Sequence, residues 1–528
     1  MKAIIPFLSA ITLLALTPKT VTAQSAGTPD ATFGINGRTT VPFSNPNAGG
    51  SSQFVLHTDG RVVAVSVEND TYFATRFLPN GALDPSFGNA GIATGTPNPD
   101  FSEDVTLALA LPNGKTLIVL NTYSDTEDAT KFVQLDASGA LDPAFGQGGI
   151  LQLDLSPTIA EEYITAGVVL PDGKLLLTGY VENPQTSFYA GVILRLNPNG
   201  SYDNTFNNTG RFNAPILLGF NIMTAIIVQP DNKVVAAGSI IDLVSQNLIG
   251  FTLRLNSGGM LDLSYGTAGI VRLNTATDKI AAITDMVRTP DGKLVLSGLD
   301  GNFSEPRIVR LNPNGSLDNT FGTAGVSILA PANLNEAGEP KVELQSDGKI
   351  LLCIPALLDD NGTSEEGYLL ARYNAEGNLD AGFGDMGIVT VGDDFYGIGV
   401  ALQPDGKILV GGVWDDSDTP GVFVHRYNGS AGVSTNEILL EIADAKVFPN
   451  PARYDATLRF QLSSNKQLQV DLADATGRIC TVLSAMRTWE AGAISIPLSL
   501  AGLPTGNYWV RVSDNTGHAL ALPIFVQQ

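Results

Sequence analysis

The groups in this chain whose types and spacing could do chemistry are carboxylates. Asp359, Asp360, Glu365 and Glu366 share one short stretch, and Asp415, Asp416 and Asp418 follow directly on Trp414. Asp125, Glu127 and Asp128 form a third run. Clustered carboxylates suit a hard cation such as calcium, and an indole beside them suits the face of a sugar ring. Two Asp or Glu side chains about 5–10 Å apart would also be enough to cleave a glycosidic bond. None of the runs has EF-hand spacing, and a solvated acidic loop would read the same way. Trp414, Asp415, Asp416, Asp418, Asp359 and Asp360 are therefore candidate ligand-binding residues. No catalytic residue and no metal ligand is assigned, and calcium is the one cofactor these runs would suit.

Other chemistries find no support. The histidines are His57, His425 and His518, too scattered for a zinc site. There is no GxSxG elbow, phosphate loop or dinucleotide fingerprint. Cys353 and Cys480 stand far apart and read as small apolar residues. Acidic residues outnumber basic ones 53 to 30, a formal charge of −23, which argues against nucleic acid as a partner.

The elements that must position these carboxylates come from a repeat. A tight turn recurs at Asp59-Gly60-Arg61, Asn113-Gly114-Lys115, Asp172-Gly173-Lys174, Asp231-Asn232-Lys233, Asp291-Gly292-Lys293, Asp347-Gly348-Lys349 and Asp405-Gly406-Lys407. A second marker, Asp-x-x-Phe-Gly-x-x-Gly in its clear copies, closes at glycines 37, 91, 149, 210, 269, 325 and 387, which are 54 to 62 residues apart. Such a period signals repeat architecture. Each period holds four strand-like pieces, in the last copy 388–392, 398–403, 407–413 and 421–427. Asp-Gly accepts the positive φ that a hairpin turn needs. Strands such as Leu175-Leu-Leu-Thr-Gly179 are apolar without alternation, which fits sheets covered on both faces. The reading is all-β: a seven-bladed β-propeller over residues 24–428, closed by the marker Asp30–Gly37 that precedes the first unit. Asp in the marker is expected to cap a turn, Phe to plug between blades, and the turn Lys to be a solvated charge.

A meander alternates its loops between two faces. The Asp-Gly turns and Phe-Gly markers share one face, uniform among repeats. The other face has loops that differ in every copy, including Gly95–Glu103, Asp154–Glu162, Phe212–Phe220, Ala330–Pro340, Asn121–Thr130, Val181–Tyr189, Leu357–Gly367 and Trp414–Pro420. Variable loops on a rigid scaffold are the usual way to present a binding surface.

The two ends of the chain speak of export. Lys2 and the apolar run Ile4–Leu16 read as a signal peptide over residues 1–23, with cleavage between Ala23 and Gln24. No later run is long enough for a membrane helix. Residues 429–445 read as a linker. Residues 446–528 alternate as a small immunoglobulin-like β-sandwich.

Two resemblances follow from these motifs. Through Leu-Asp-x-x-Phe-Gly-x-x-Gly and Pro-Asp-Gly-Lys, the array resembles the delta-60 repeat (DUF5122) β-propeller family, whose function is unknown. Its fourth copy departs, with Asn207 and Asn232 where glycine is usual, so altered turns are expected there. The tail resembles the C-terminal sorting domain of the type IX (Por) secretion system. That likeness rests on Pro449-Asn450-Pro451, on Asp474 with Gly477-Arg478, and on Gly506-Asn507-Tyr508. It implies the type IX translocon and sorting machinery as partners, passage through the periplasm, and a final place outside the cell or on its outer surface. The terminal Phe525-Val-Gln-Gln528 lacks the usual basic residue. The first functional reading is a secreted, non-enzymatic binding module for an extracellular glycan, protein or matrix component. A carboxylate-based glycoside hydrolase or lyase on the same scaffold, and a purely structural surface component, are the alternatives.

Overall fold

The computed structural model describes residues 25–527 except 44–51, 69–70, 97–101, 124–128, 154, 156–160, 184–187, 216–219, 243–246, 274–279, 361–362, 393–394, 415–419, 430–441, 451, 463–464, 475–478 and 515–518. Ala23 and Gln24 lie outside the described residues, as do Asp415, Asp416 and Asp418. The chain divides into two compact units, residues 25–431 and a unit containing residues 432–528.

In the first unit each repeat folds as a four-stranded meander. Blade 3 runs Glu162–Val169, Leu175–Asn183, Phe188–Leu196 and Arg211–Asn213, paired in that order. We number the blades by their inner strands: Ser52–Leu56, Ser102–Ala110, Glu162–Val169, Phe220–Val228, Ala282–Arg288, Lys341–Leu344 and Phe395–Leu402. Each inner strand touches the next, and that of blade 7 touches that of blade 1, so the sheets ring an axis. This is a β-propeller.

Burial explains why the second and third strands are apolar at consecutive positions. Val62–Glu68, Ile408–Trp414 and Gly421–Tyr427 are buried along their whole length, because a neighbouring blade covers each face. Threonines at bulges in the inner strands add a tie around the axis. The hydroxyls of Thr165, Thr224 and Thr284 donate to the carbonyls of Met223, Ile283 and Pro340 in the following blade, each at 2.5 Å.

The sheets are offset by one strand from the sequence period. Ile388–Val391, which the period groups with the last repeat, is the outer strand of blade 6. The outer strand of blade 7 is Arg38–Pro42, antiparallel to Gly421–Tyr427 with Thr40 opposite Phe423. The two ends of the array also share a turn. Gly27 N donates to Asn428 O at 2.8 Å, as Gly81 N donates to Leu78 O at 2.8 Å within one continuous turn.

Blade 6 differs from its fellows. Its hairpin is longer, Ile350–Asp360 with Thr363–Tyr373, and an extra strand, Leu334–Ala337, pairs with the extension. Most of Leu357–Gly367 and part of Ala330–Pro340, read from sequence as loops, are therefore strand.

The second unit is a β-sandwich. One sheet holds Ile442–Phe448, Asp455–Leu462 and Gly492–Ser499. The other holds Ile479–Trp489, Lys466–Asp474, Gly506–Asp514 and Ala519–Val526. Here burial alternates along Asp455–Leu462, because only one face of each sheet meets the core of Leu458, Phe460, Leu472 and Val510. Among the described residues no helix is long and apolar enough to cross a membrane.

Candidate functional site

On the uniform face the marker and turn residues hold the blades together. In each blade the marker Asp uses Oδ1 to cap its own turn; Asp203 Oδ1 accepts from Thr205 N at 3.0 Å and Thr205 Oγ1 at 2.7 Å. Its Oδ2 takes two cations, Lys174 at 3.0 Å and Arg195 at 2.7 Å. Blade 5 repeats this with Asp318, Lys293 and Arg310, and blade 7 with Asp30, Lys407 and Arg426. The arginine then lies over the marker aromatic, 4.3 to 4.8 Å from the ring centre in six blades. It also donates to a carbonyl of the next repeat, as Arg254 does to Pro313 O at 2.8 Å. The turn lysine is thus a half-buried partner of the marker Asp, where a solvated charge was expected, because both loops emerge on one face. Burial opposes the charge of Asp203 and Asp318, yet the hydroxyls of Thr205 and Thr320 and the paired cations hold both far below the usual carboxylate range.

The fourth copy keeps its turns. Asn207 and Asn232 adopt φ of 47° and 61° and make the same backbone bonds as the glycines they replace. Asparagine tolerates the left-handed region, so the expected alteration does not occur.

On the variable face, Trp414 is buried, where sequence had suggested an exposed indole. Gly421 stands opposite it across the hairpin and leaves room for the ring. Arg38 lies 5.9 Å from the centre of that ring. Asp359 is exposed, on the long hairpin of blade 6 opposite Ser364. Asp360 lies at the tip of the same strand, paired with Thr363, and its side chain is outside the described set. Among the described residues no group of three His, Cys, Asp or Glu could hold a metal ion.

Two histidines, His57 and His425, pack within the propeller. His57 Nε2 lies 3.1 Å from Thr116 Oγ1, and burial lowers its pKa. His425 Nδ1 lies 2.6 Å from Tyr368 Oη in an aromatic seam between blades 6 and 7.

What the variable face does gather is an axial site that sequence reasoning missed. Inner strands run from the variable face toward the uniform one, so their first residues ring the entrance to the axis. There Ser52, Gln53, Phe54, Asp285, Glu339 and Lys341 line a cavity of about 300 Å³. Asp285 is pinned between two blades: its Oδ1 accepts from Met286 N at 2.8 Å and its Oδ2 from Val342 N at 2.9 Å. Glu343 lies two residues beyond Lys341 on the same strand face. Burial, then the charge of Asp285, push its pKa up to about 8. Two carboxyl groups from neighbouring blades thus share this part of the axis, one of them with a raised pKa.

Beside this cavity runs an aromatic ladder. Tyr163 pairs with Tyr180 across blade 3, their rings stacked at 4.8 Å. Tyr180 meets Tyr189 edge-on at 5.1 Å, and Tyr189 meets Phe220 of blade 4 at 4.8 Å. All four are half-buried, and the Tyr189 hydroxyl donates to Glu161. Burial, Tyr163, and the charges of Glu161 and Glu339 all raise the pKa of Tyr180. Glu339 thus faces both the cavity and the ladder. One signal in the sequence could have found these residues: each departs from its own repeat. Asp285 follows the inner-strand bulge where blades 2, 3, 4 and 7 have Leu107, Ala166, Ala225 and Gly399.

In the C-terminal unit the motif residues hold strands together. Asn450 Oδ1 accepts from Phe525 N at 2.9 Å, Gly506 pairs with Val526, and Asp474 pairs with Tyr508. The Tyr508 hydroxyl donates to Pro504 O at 3.1 Å. Pro449 is exposed, while Pro451, Gly477 and Arg478 lie outside the described residues.

Comparison with known proteins agrees with this division. Residues 170–206, 229–265 and 289–321 match the domain of unknown function (DUF5122) beta-propeller. Residues 446–522 match the secretion system C-terminal sorting domain. Among curated proteins none matches the chain. Solved structures similar to it include an exo-beta-1,3-galactanase from Phanerochaete chrysosporium (12% identity, 70% of this chain and 95% of that one, TM-score 0.30). An alpha-L-arabinofuranosidase, Arb93A, from Fusarium graminearum shares 10% identity over 64% of this chain and 97% of its own, at TM-score 0.39. The beta-propeller domain of the Trilobed protease from Pyrococcus furiosus shares 9% over 70% and 94%, at 0.29. The chain carries DUF5122 β-propeller repeats and a Por-type sorting domain, so it is a propeller protein addressed to the type IX export machinery.

Proposed function

We propose that this exported β-propeller is a non-enzymatic binding module for an extracellular glycan, held at the variable end of its axis. The observation that supports the reading is the half-buried ladder Tyr163–Tyr180–Tyr189–Phe220, with Glu339 of the polar cavity near enough for its charge to act on Tyr180. A sugar ring has apolar C–H faces and a rim of hydroxyls, so it asks for aromatic faces and fixed polar groups together. Delivery by the sorting domain would place the module where such chains are met, released or held on the outer surface. No cofactor is assigned, and binding is expected to be indifferent to a calcium chelator. The test is calorimetry of the purified protein against a panel of extracellular polysaccharides. Binding without product release, lost in Tyr180→Ala, supports the reading; a panel that Tyr180→Ala leaves unchanged removes it. A second reading, a carboxylate hydrolase or lyase, is favoured by Glu343, whose raised pKa beside a second carboxyl group, Asp285, would suit a general acid. Appearance of new reducing ends, abolished by Asp285→Asn, would select it.

A further inference from the structure

Where the ring closes, a second cavity, of about 310 Å³, lies between blades 7 and 1. One wall is Val41 and Phe43 of the closing segment, with Val422 beside them; the other is Ser66, Phe73 and Ile92 of blade 1. Phe43 is held in place by its N–H, which donates to Pro420 O at 2.7 Å. We infer that this seam binds a small, neutral, ring-sized molecule, apolar except for one hydroxyl that pairs with Ser66. None of the residues lining it lines the axial cavity, so it stands or falls apart from the glycan reading.

Ser66 is the group that asks for a ligand. It is 1% exposed, lines the cavity, and its hydroxyl has no hydrogen-bond partner. Buried hydroxyls are as a rule bonded, and an unpaired one is destabilising. Blade 1 is also alone in placing a hydroxyl here. At the same distance past the Asp-Gly turn, blades 2 and 6 have Leu120 and Ile354, and blades 3, 4, 5 and 7 have glycines 179, 238, 298 and 412. Packing alone would be better served by the large apolar residue of blade 2 or blade 6. A serine that leaves both a cavity and an unmet hydrogen bond is explained by a molecule that supplies the bond and fills the space.

The walls restrict what that molecule is. The volume lies at the small end of ligand pockets, which suits a single ring. Val41, Ile92 and Val422 suit an apolar body, and the rings of Phe43 and Phe73 suit a flat one. Among the described lining residues none is ionisable, so an ion would be buried unpaired. A serine hydroxyl both donates and accepts, and the hydroxyl of a phenol or alcohol matches it in either sense. Burial sets the direction of entry. Pro42, Asn89 and Thr94 are exposed, whereas Ser66, Thr75 and Val422 are 1–2% exposed. The ligand therefore enters from the rim with its hydroxyl leading. A water at Ser66 would meet the hydroxyl but leave the apolar walls uncovered.

The test uses the purified full-length protein with phenol and toluene, which match in size and differ by the hydroxyl. Calorimetric titration should show phenol bound by the wild type with a Kd below about 1 mM. The preference for phenol over toluene should fall at least about fivefold in Ser66→Ala. That variant removes a hydroxyl with no partner, so its denaturant midpoint should be no lower than that of the wild type, and a lost preference is then not a lost fold. Ser66→Leu, which copies blade 2, should fill the cavity and abolish binding of both molecules. Absence of phenol binding, binding that Ser66→Leu leaves intact, or a preference that Ser66→Ala leaves unchanged overturns the inference. If Ser66→Leu does not fold, Ser66→Ala decides alone. Saccharide binding that depends on Tyr180 should be the same in wild type and Ser66→Ala, which keeps the two readings separable.

Discussion

The two faces of the propeller treat their carboxylates in opposite ways. On the uniform face every marker Asp is saturated: a capped turn on one oxygen, and on the other two cations, or in blade 2 Lys115 and an amide. On the axis near the variable face, Glu343 pairs with no cation among the described residues and shares its space with Asp285. One arrangement favours ionisation and the other opposes it. Repetition lets evolution settle a structural site once and copy it seven times. A site that departs from the copies, and that costs stability where it stands, is where function is to be sought.

The largest effect should come from breaking a clasp. Asp318→Ala leaves Arg310, nearly buried, and Lys293 without their shared anion. Removing one partner of a buried pair costs roughly 3–5 kcal/mol, read as a lower denaturant midpoint. Sugar binding at the far face should be unchanged. A loss below 1 kcal/mol would mean the clasps are ornament and would erase the contrast between faces.

Next comes pH, where the faces should show opposite slopes. Asp203 and Asp318 have depressed folded pKa values, so their contribution is present above the ordinary carboxylate pKa and is lost as the pH falls below it. Glu343 has a raised value, so its penalty is absent below pH 4.5, grows from there, and is complete above about 8. Glu343→Gln should therefore stabilise the protein, by about 2–4 kcal/mol at pH 8 and by little at pH 4. Thermal melts across that range decide it, and a gain independent of pH would place the effect elsewhere.

A smaller effect sharpens the other side of the comparison. Tyr180→Ala should weaken glycan binding by about 2 kcal/mol, near thirtyfold in Kd. Its effect on global unfolding should be slight beside that of Asp318→Ala. If both variants instead lower stability alike and leave binding intact, the ladder is core and the variable face has lost its claim.

What could be read from sequence was what is encoded within a few residues. Asp-x-x-Phe-Gly and Asp-Gly-Lys each specify a local turn, and their spacing delivers strands, faces and the ring. Trp414 was misread because its environment is set by Gly421, across a loop. The turn lysine was misread because its partner lies one loop further on, 29 residues away for Lys174 and Asp203. Asn232 was expected to disturb a turn because rank order favours glycine, although the side chain adopts the needed angle. Asp285 and Glu343 come from different blades, and only the packing of blade 6 against blade 5 makes them neighbours. The marker ends were legible for a related reason: Asp30–Gly37 stood unpaired at the start, and Arg426 supplies its missing partner.

The smallest effect tests whether the copies really share one logic. Six blades place arginine at the end of the third strand: Arg76, Arg195, Arg254, Arg310, Arg372 and Arg426. Blade 2 has Gln134, which donates to Asp142 Oδ2 at 2.6 Å but has no guanidinium to lie over Phe145. Between this blade and the next lies a cavity of about 340 Å³ lined by Lys115, Gln134 and Pro198. In the other blades the guanidinium also donates to a carbonyl of the next repeat's turn, such as Pro313 O or Ala375 O. Pro198 O holds the matching place here. Gln134→Arg should therefore stack on Phe145, reach Pro198 O, and raise stability by about 1 kcal/mol. Equilibrium unfolding measures it, and the Asp142→Asn background should abolish the gain, since the guanidinium would then lack its anion. A loss of stability would mean that the seam between blades 2 and 3 has been rebuilt around the amide, and that the clasp is less modular than its six copies suggest.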